Sequence, residues 1–576
     1  MKKQIFILCL LGFSPLLSQA QTAIEAINFT QSDLKGTARF MSMGGAFGAL
    51  GGDLSSISVN PAGIGVYRSN EIGVSVGLDL QQAKSNSAGF MQTTNLTKFQ
   101  LNNAGGVFTL KLNNNVVPNL NFAFTYNKTA SFNRHVRGTF PQLRNSLSNY
   151  IAGVTNNGPY PGESWTENDL NSTNSFNAWN PNDGNPAAPW MSILGYEGLL
   201  ITPTGDSENP TWIGQWGNGT SGNGQFEFRE YGGIDSYNIA FGGNFGNVVY
   251  WGMDFDIINF NYGISSLWAE NLKNAYVEAD GGAIDRIDAR WNLKNVYEAS
   301  GSGFNYKLGV IVKPIQELRL GFSFQTPTWY SLTESYTGQL NFKYASEKDD
   351  SRSYNKGYPA TSDMNFRTPW RLTASAAGVI GGRFIISADY EWANFQSMRF
   401  SEPTYNNGYY TPGYYDPGYN DWGNYYPYSD NTRFGQYISD PYQETNNDIH
   451  NYCQSSNTFR LGAEFRITPQ FSVRAGYSYT SSPIKEKVRK GEETIYTSDT
   501  RPSFKFNNAT NYITAGAGYK GKHLYADLAY VYKHQSSDYF AYPTDPTNAL
   551  MGIDTTPKSS ISFNNSQILL TLGVKF

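Results

Sequence analysis

The sequence predicts an all-β protein: a transmembrane antiparallel β-barrel of about 14 strands, with an N-terminal hatch inside the lumen and long extracellular loops. Three observations predict it. Aromatic residues make up 15% and charged residues only 16% of the 576 residues, yet past residue 20 no apolar run is long enough to cross a bilayer as a helix. Period-two alternation recurs along most of the chain, as strands with two unlike faces require. Tight turns alternate with long segments, which is how the two ends of an outer-membrane barrel differ.

Residues 1–20 read as a secretory signal. Lys2 and Lys3 precede an apolar run from Ile5 to Leu17, and Ser18-Gln19-Ala20 supplies small residues for cleavage near Ala20. Cys9 leaves with this segment. Cys453 is then the lone cysteine of the mature chain, which excludes an intramolecular disulfide and a cysteine metal site. The four histidines, His135, His450, His523 and His534, lack metal spacing, so neither metal nor cofactor is expected. Without Lys2 and Lys3 the 43 basic residues become 41 against 47 acidic ones, a net of −6, which excludes a nucleic-acid partner. The expectation is a monomer in the bacterial outer membrane, in contact with its lipid.

Reading back from the end, Phe576, Val574, Leu572, Leu570 and Ile568 share one face, with Lys575, Gly573, Thr571 and Gln567 on the other. A last strand ending in Phe resembles the signal by which the barrel assembly machinery recognises its clients. Similar alternation marks Ile72–Leu80, Val249–Ile257, Leu318–Phe324, Phe459–Ile467 and Phe471–Tyr479. Tight turns fall at Gly246-Asn247, Pro314–Glu317, Gly381-Gly382, Thr468–Gln470 and Gly521-Lys522. Long segments at 134–232, 264–300, 401–455, 483–508 and 536–562 are expected to be extracellular loops. Tyr336–Ala345 is read as the upward extension of the strand that begins at Leu318, which keeps the strand number even.

Inside the first long segment, Phe140, Leu143, Leu147 and Ile151 recur at helical spacing. An apolar stripe outside the membrane needs a partner, either another part of the loop or a groove that captures an apolar substrate. The Tyr/Gly/Pro/Asn-rich tract 405–428 is expected to be an external loop capping the barrel. Charges on the predicted lumenal faces, among them Asp254, Asp256, Arg319, Arg460, Glu464 and Arg474, are expected to pair across the interior.

Residues 21–69 do not alternate and are too few for an independent core, so they need the barrel (70–576) around them. Their centre is Met43-Gly44-Gly45-Ala46-Phe47-Gly48-Ala49-Leu50-Gly51-Gly52-Asp53, and Asn60-Pro61-Ala62-Gly63 reads as a turn before the first strand. Ala38–Phe47, Asp53 and Asn60–Gly63 together resemble the N-terminal hatch of FadL-type long-chain fatty acid transporters. What the resemblance implies is passive uptake of a hydrophobic small molecule. An external loop collects it, and a rearrangement of the hatch lets it move inward and leave sideways into the membrane. Gly44, Gly45, Phe47, Asn60, Pro61 and Ala62 are the hatch residues carried over.

Two nucleotide- or hydrolase-like patterns are set aside. Gly73-Val74-Ser75-Val76-Gly77 sits inside an alternating strand, where a nucleophile elbow cannot form. Gly516–Gly521 matches G-x-G-x-x-G but leads into a hairpin. An enzyme is not expected. Two other readings stay open: a haemin receptor using His135 or His450, and a structural barrel whose loops hold a partner protein.

Overall fold

The computed structural model describes residues 23–112, 114–160, 162–171, 188–278, 283–344, 350–353, 357–403, 432–433, 436–437, 442–491, 501–543 and 555–576. The signal segment and the tyrosine-rich tract 405–428 lie outside the described residues.

Fourteen wall strands close into one antiparallel barrel. They are β1 (Glu71–Ser87), β2 (Phe90–Lys111), β3 (Asn119–Ser131, continued by Arg134–Phe140), β4 (Ser221–Phe245), β5 (Val249–Glu278), β6 (Ile284–Val312) and β7 (Leu318–Gln325, continued by Trp329–Tyr344). The circuit goes on through β8 (Ala360–Arg367 and Arg371–Ile380), β9 (Phe384–Asn394 and Arg399–Ser401), β10 (Ser455–Arg466), β11 (Phe471–Thr480), β12 (Phe504–Lys520), β13 (Leu524–Phe540) and β14 (Lys558–Lys575). Each pairs with its sequence neighbours, and β14 returns to β1, from Glu71↔Lys575 to Asn86↔Ser560. Both parts of β7 pair with β6, so Tyr336–Tyr344 extends that strand upward as the even strand number requires.

A belt of large apolar side chains faces outward near the short-turn end. Ile72, Val74, Leu78 and Leu80 of β1 and Ile568, Leu570, Leu572 and Val574 of β14 are each 37–50% exposed. Their inward neighbours Ser75, Asp79, Gln567 and Thr571 are buried. Apolar outside and polar inside is the arrangement lipid imposes, because backbone polar groups are satisfied between strands and only side chains meet the acyl chains. Tyr126 against Tyr237, Phe304 against Trp329 and Tyr390 against Phe459 form part of an aromatic girdle at the upper edge of the belt.

The segment 264–300 is almost wholly wall strand among its described residues, and 134–232 is so at both its ends, where the sequence suggested loops. β5 is 30 residues long and β6 is 29, against roughly 9–11 needed to cross a bilayer. Above the belt their outward residues turn polar, as at Lys294, Glu298 and Ser300, while Trp268, Leu272, Trp291, Leu293 and Tyr297 stay buried inward. A polar outward face outside lipid hides the strand from any reading that looks for a lipid-facing belt. Likewise β3 and β4 take Arg134–Phe140 and everything after Ser221 out of the first loop, and β12, β13 and β14 begin or end inside 483–508 and 536–562.

The raised half of the wall is filled from within. Helix α3 (Leu147–Thr155) and helix α4 (Trp190–Glu197), with the hairpin Ile201–Thr204/Thr211–Gly214, pack on the inward side chains of β5, β6 and β7. Trp190 stacks on Tyr336 at 5.7 Å, and Trp291 Nε1 donates to Gln215 Oε1 at 3.2 Å. Buried Glu270 of β5 accepts from Leu147 N and Ser146 Oγ, so it ties the first turn of α3 to the wall.

Below this the lumen is filled by residues 23–67, with 37–67 at the short-turn end and 23–35 above them: helix α1 (Ala23–Phe29), an extended stretch, helix α2 (Ala38–Ser42), and 3-10 turns at Leu54–Ser58 and Pro61–Val66. This hatch lies directly on the wall at glycines. A Cβ on Gly252 would stand 2.1 Å from Pro61 O; one on Gly321, 2.3 Å from Gly48 O; one on Gly476, 2.3 Å from Gly44 N; one on Gly462, 2.5 Å from Met43 O. Gly252→Val is therefore expected to insert as a heat-modifiable barrel but to lift the hatch, exposing Lys35 and Arg39 to trypsin. Gly378→Val, whose Cβ has no neighbour closer than 3.5 Å, should leave both sites protected.

Candidate functional site

The hatch residues singled out in the sequence form the lower part of the plug. Gly44 and Gly45 take φ of 63° and 78°, the left-handed region that lets the chain turn after α2 and lie against Gly462 and Gly476. Phe47 is fully buried, its ring 5.5 Å from Phe40 with the Arg39 guanidinium 5.2 Å above it. Asn60 caps the second 3-10 turn: its Oδ1 accepts from Ala62 N at 3.0 Å while its Nδ2 donates to Gly48 O at 2.6 Å and to Val310 O of β6 at 3.3 Å. Pro61 opens that turn, where its missing amide hydrogen costs nothing. Wall side chains hold the hatch main chain in return: Thr571 Oγ1 accepts from Ala38 N at 2.7 Å, Asp389 from Gly48 N at 2.9 Å, and Asn121 Nδ2 donates to Ile64 O at 2.7 Å.

Charges expected to pair across the lumen pair instead along the wall, Glu464 with its register partner Arg474 and Asp254 with Lys307, and several reach the hatch. Arg39 and Arg474 both bind Glu464, at 3.0 and 2.8 Å, and Arg474 continues to Asp527 at 2.5 Å. Lys307 holds Asp254 and Asp256. Arg319 instead donates to Leu50 O at 2.7 Å. Asp53 accepts from Thr37 Oγ1 and Ser55 N, and burial pushes its carboxyl up to about 6.

The upper part of the hatch, residues 23–35, was not legible as a separate element. Phe29 sits among Phe260, Tyr262, Phe366 and Phe400, with ring centroids 5.0–6.3 Å away. Glu25 bonds Arg501, Asp33 bonds Lys533 at 2.6 Å, and Lys35 bonds Asp79 at 2.9 Å with Gln100 and Gln567 beside it. Gly36, φ 146°, joins the two parts, and a Cβ there would stand 2.5 Å from Ser55 Oγ. The segment lies along a cavity of about 250 Å³. Its lining mixes Phe29, Val59 and Ile258 with the charged Lys307, Arg371 and Arg460.

The proposed capture residues are placed differently from the helical stripe that suggested them. Phe140 ends β3, Leu143 is in a turn, and only Leu147 and Ile151 are on α3. All four are at most 4% exposed, packed with Phe226, Trp268 and α4 in the core under the cap, not in an open groove. Their partners are the cap helices together with inward side chains of β4 and β5.

One side of the wall is incomplete. β2 pairs with β3 only from Asn103↔Asn127 to Lys111↔Asn119, so among the described residues Phe90–Asn102 has no strand on that edge. Phe99, 70% exposed, lies within this stretch at the level of the belt. Ser75, the residue of the nucleophile-like pattern, is buried in β1 and shares a 2.7 Å hydrogen bond with Thr571. His135 Nε2 lies 2.9 Å from Glu227 Oε1, and His450 is exposed on the helix Gln443–Tyr452.

A family model described as outer membrane protein transport protein (OMPP1/FadL/TodX) matches residues 271–574, more than half of the chain. The chain belongs to this family. It is a transport family for hydrophobic compounds at the outer membrane, not a class of enzymes. The matched region runs from β5 to β14, so the hatch motif at 36–65 lies outside it. Among solved structures, a Pseudomonas aeruginosa FadL homologue is similar at 12% identity, covering 95% of this chain and 99% of that one, with a TM-score of 0.45. The P. putida toluene transporter TodX is similar at 12% identity over 94% of this chain and 99% of that one, TM-score 0.44. The Ralstonia pickettii toluene transporter TbuX is similar at 12% identity over 94% and 99%, TM-score 0.39. No curated protein sequence matches the chain.

Two predictions follow from the hatch charges of this FadL-family protein. Glu464→Gln leaves Arg39 and Arg474 short of a buried partner and should weaken hatch docking by roughly 3–5 kcal/mol, read as the urea midpoint of hatch release. Asp53 has its folded pKa raised from 3.8 to about 6, so its contribution to docking is full below pH 3.8 and is lost as pH rises through about 6. Across that window trypsin protection of the hatch should fall in the parent protein and fall less in Asp53→Asn.

Proposed function

We propose that the protein is a passive outer-membrane channel for hydrophobic small molecules, long-chain fatty acids or similar, and that residues 23–35 are its gate. The observation that carries the reading is the division of the hatch. Residues 37–67 rest main chain to main chain on wall glycines, so no side chain can swing aside to make a path there. Residues 23–35 are held chiefly by side chains along the edge of a cavity and meet the lower part at Gly36. Gly44, Gly45, Phe47, Asn60, Pro61 and Ala62 then form a fixed floor facing the periplasm, and gating belongs to the segment above them.

A cargo that enters the cavity leaves sideways, through the unpaired edge of β2 at the level of the belt. Such a route suits an apolar molecule, because it passes from protein to acyl chains without the cost of exposing its surface to water. No energy source is needed. The core containing Phe140, Leu143, Leu147 and Ile151 is the apolar surface that a cargo meets when the cap loosens, which is the form the capture role takes. The terminal strand ending in Phe576 is the feature the assembly machinery reads.

Two engineered disulfides in a Cys453→Ser background separate gate from floor. Oxidised Asp33→Cys/Thr129→Cys, at a pair whose main chains are joined by the Asp33 N to Thr129 O hydrogen bond of 2.9 Å, should abolish uptake of a pyrene-labelled fatty acid by Gram-negative cells, with recovery on reduction. Oxidised Ala38→Cys/Thr571→Cys should leave uptake unchanged. Equal loss from both pairs would move the gate into the floor, and no loss from either would remove the hatch from gating.

A further inference from the structure

The short-turn end runs against the charge of the chain, whose net is −4. Its exposed charges, in the turns and the strand ends beside them, are Arg68, Lys111, Arg383, Arg466, Lys520 and Lys522, against one exposed acid, Glu317. Three more acids at that end are buried and engaged. Asp53 accepts from Thr37 and Ser55 within the hatch, Glu71 holds Lys575 at 2.7 Å, and Glu464 holds Arg39 and Arg474, with Arg466 at 3.6 Å. Among the described residues, Lys111, Arg383, Lys520 and Lys522 make no ion pair.

These cations form one field. Lys520 is repelled by Lys575, Arg39 and Arg466, and Arg319 by Arg39 and Arg68, so Arg39 on the underside of the hatch is the neighbour common to both halves. Arg466 N donates to Arg383 O at 2.9 Å, which sets two arginines side by side on adjoining strands. Like charges so placed repel unless a negative group comes to them. Alternation gives their direction. Lys111, Arg319, Arg466, Lys520 and Lys575 each follow an outward apolar residue, namely Leu110, Leu318, Phe465, Tyr519 and Val574, which are 36–55% exposed. The cations therefore lie on the inward face of the wall. Head groups outside the rim meet aliphatic chains and rings, while the cations face the aqueous opening beneath the hatch.

We infer that this rim and the underside of the hatch form a docking surface for an acidic segment of a periplasmic protein. The inference takes from the channel reading only the side on which the short turns lie, and uses neither its cavity nor its gate. Charge sets the sign of the partner and spread sets its size. The cations come from β2, the β8–β9 turn, β10, the β12–β13 turn and the hatch, so a small anion reaches few of them, whereas carboxylates strung along one chain reach several at once. Their inward placement favours a partner arriving from water over a lipid held in the leaflet.

Binding of a fluorescein-labelled peptide of alternating Glu and Ser, followed by anisotropy, tests this. The full barrel is held in phosphatidylethanolamine nanodiscs, which leave both ends accessible. One peptide should bind per barrel, more weakly as salt is added. Arg383→Gln/Lys520→Gln/Lys522→Gln should lower the affinity about tenfold. Arg286→Gln/Arg290→Gln/Lys294→Gln, which removes the same charge from the raised wall, should leave it unchanged. All six side chains are exposed, so both variants should still run as heat-modifiable barrels. No binding by the parent protein, or equal loss in the two variants, overturns the docking surface. It is overturned too if added phosphatidylglycerol displaces the peptide and native mass spectrometry finds that lipid retained by the parent but not by the short-turn variant, which assigns the surface to a lipid. The uptake experiment with the Asp33/Thr129 pair decides the channel reading separately.

Discussion

The rest of the structure depends on the absence of side chains where the hatch meets the wall. At Gly252, Gly321, Gly462 and Gly476 the hatch main chain occupies the space a Cβ would need. This contact seals the short-turn end, and it does so without the water-filled margin that mobile side chains would leave. In the proposed channel a cargo then moves above residue 36 and departs through the wall. The same constraint explains the polar wall side chains there: once two main chains are in contact, groups such as Asp389, Asn121 and Thr571 are the ones positioned to satisfy the hatch's amides and carbonyls.

Above the floor the physics changes from backbone contact to side-chain contact. Phe29 gains its place from four aromatic neighbours, each pair worth about 0.5–1.5 kcal/mol, and the ion pairs of Glu25, Asp33 and Lys35 hold the segment to different strands. Side-chain contacts of this kind can be exchanged one by one, whereas the glycine seat is lost only as a whole. The cavity beside the segment is more polar than a simple greasy pore.

The barrel was legible because lipid imposes a strict alternation, and the belt residues of β1, β10, β11 and β14 show it without ambiguity. Tight turns marked by Gly, Pro and Asn set the register of the short-turn end. What escaped was the wall above the lipid, where Lys294 and Glu298 replace apolar outward residues and the strands of 264–300 look like loop. The stripe Phe140–Ile151 misled for a related reason: its spacing fits a helix, but two of its four members belong to a strand and a turn that happen to feed one core. Within the hatch, Gly44 and Asn60 announce themselves by residue type. Nothing in the local sequence marks Phe29, Asp33 or Lys35, since each acquires its role from partners far along the chain, 44 residues on for Asp79 and 500 for Lys533.

Hydrogen–deuterium exchange of the intact barrel, resolved by peptide, tests the two-part hatch most directly. Amides of residues 37–67 should exchange as slowly as those of the belt strands, while amides of 23–35 exchange markedly faster, with the change falling at Gly36. Uniform protection across 23–67, or faster exchange in 37–67 than in 23–35, would contradict the account.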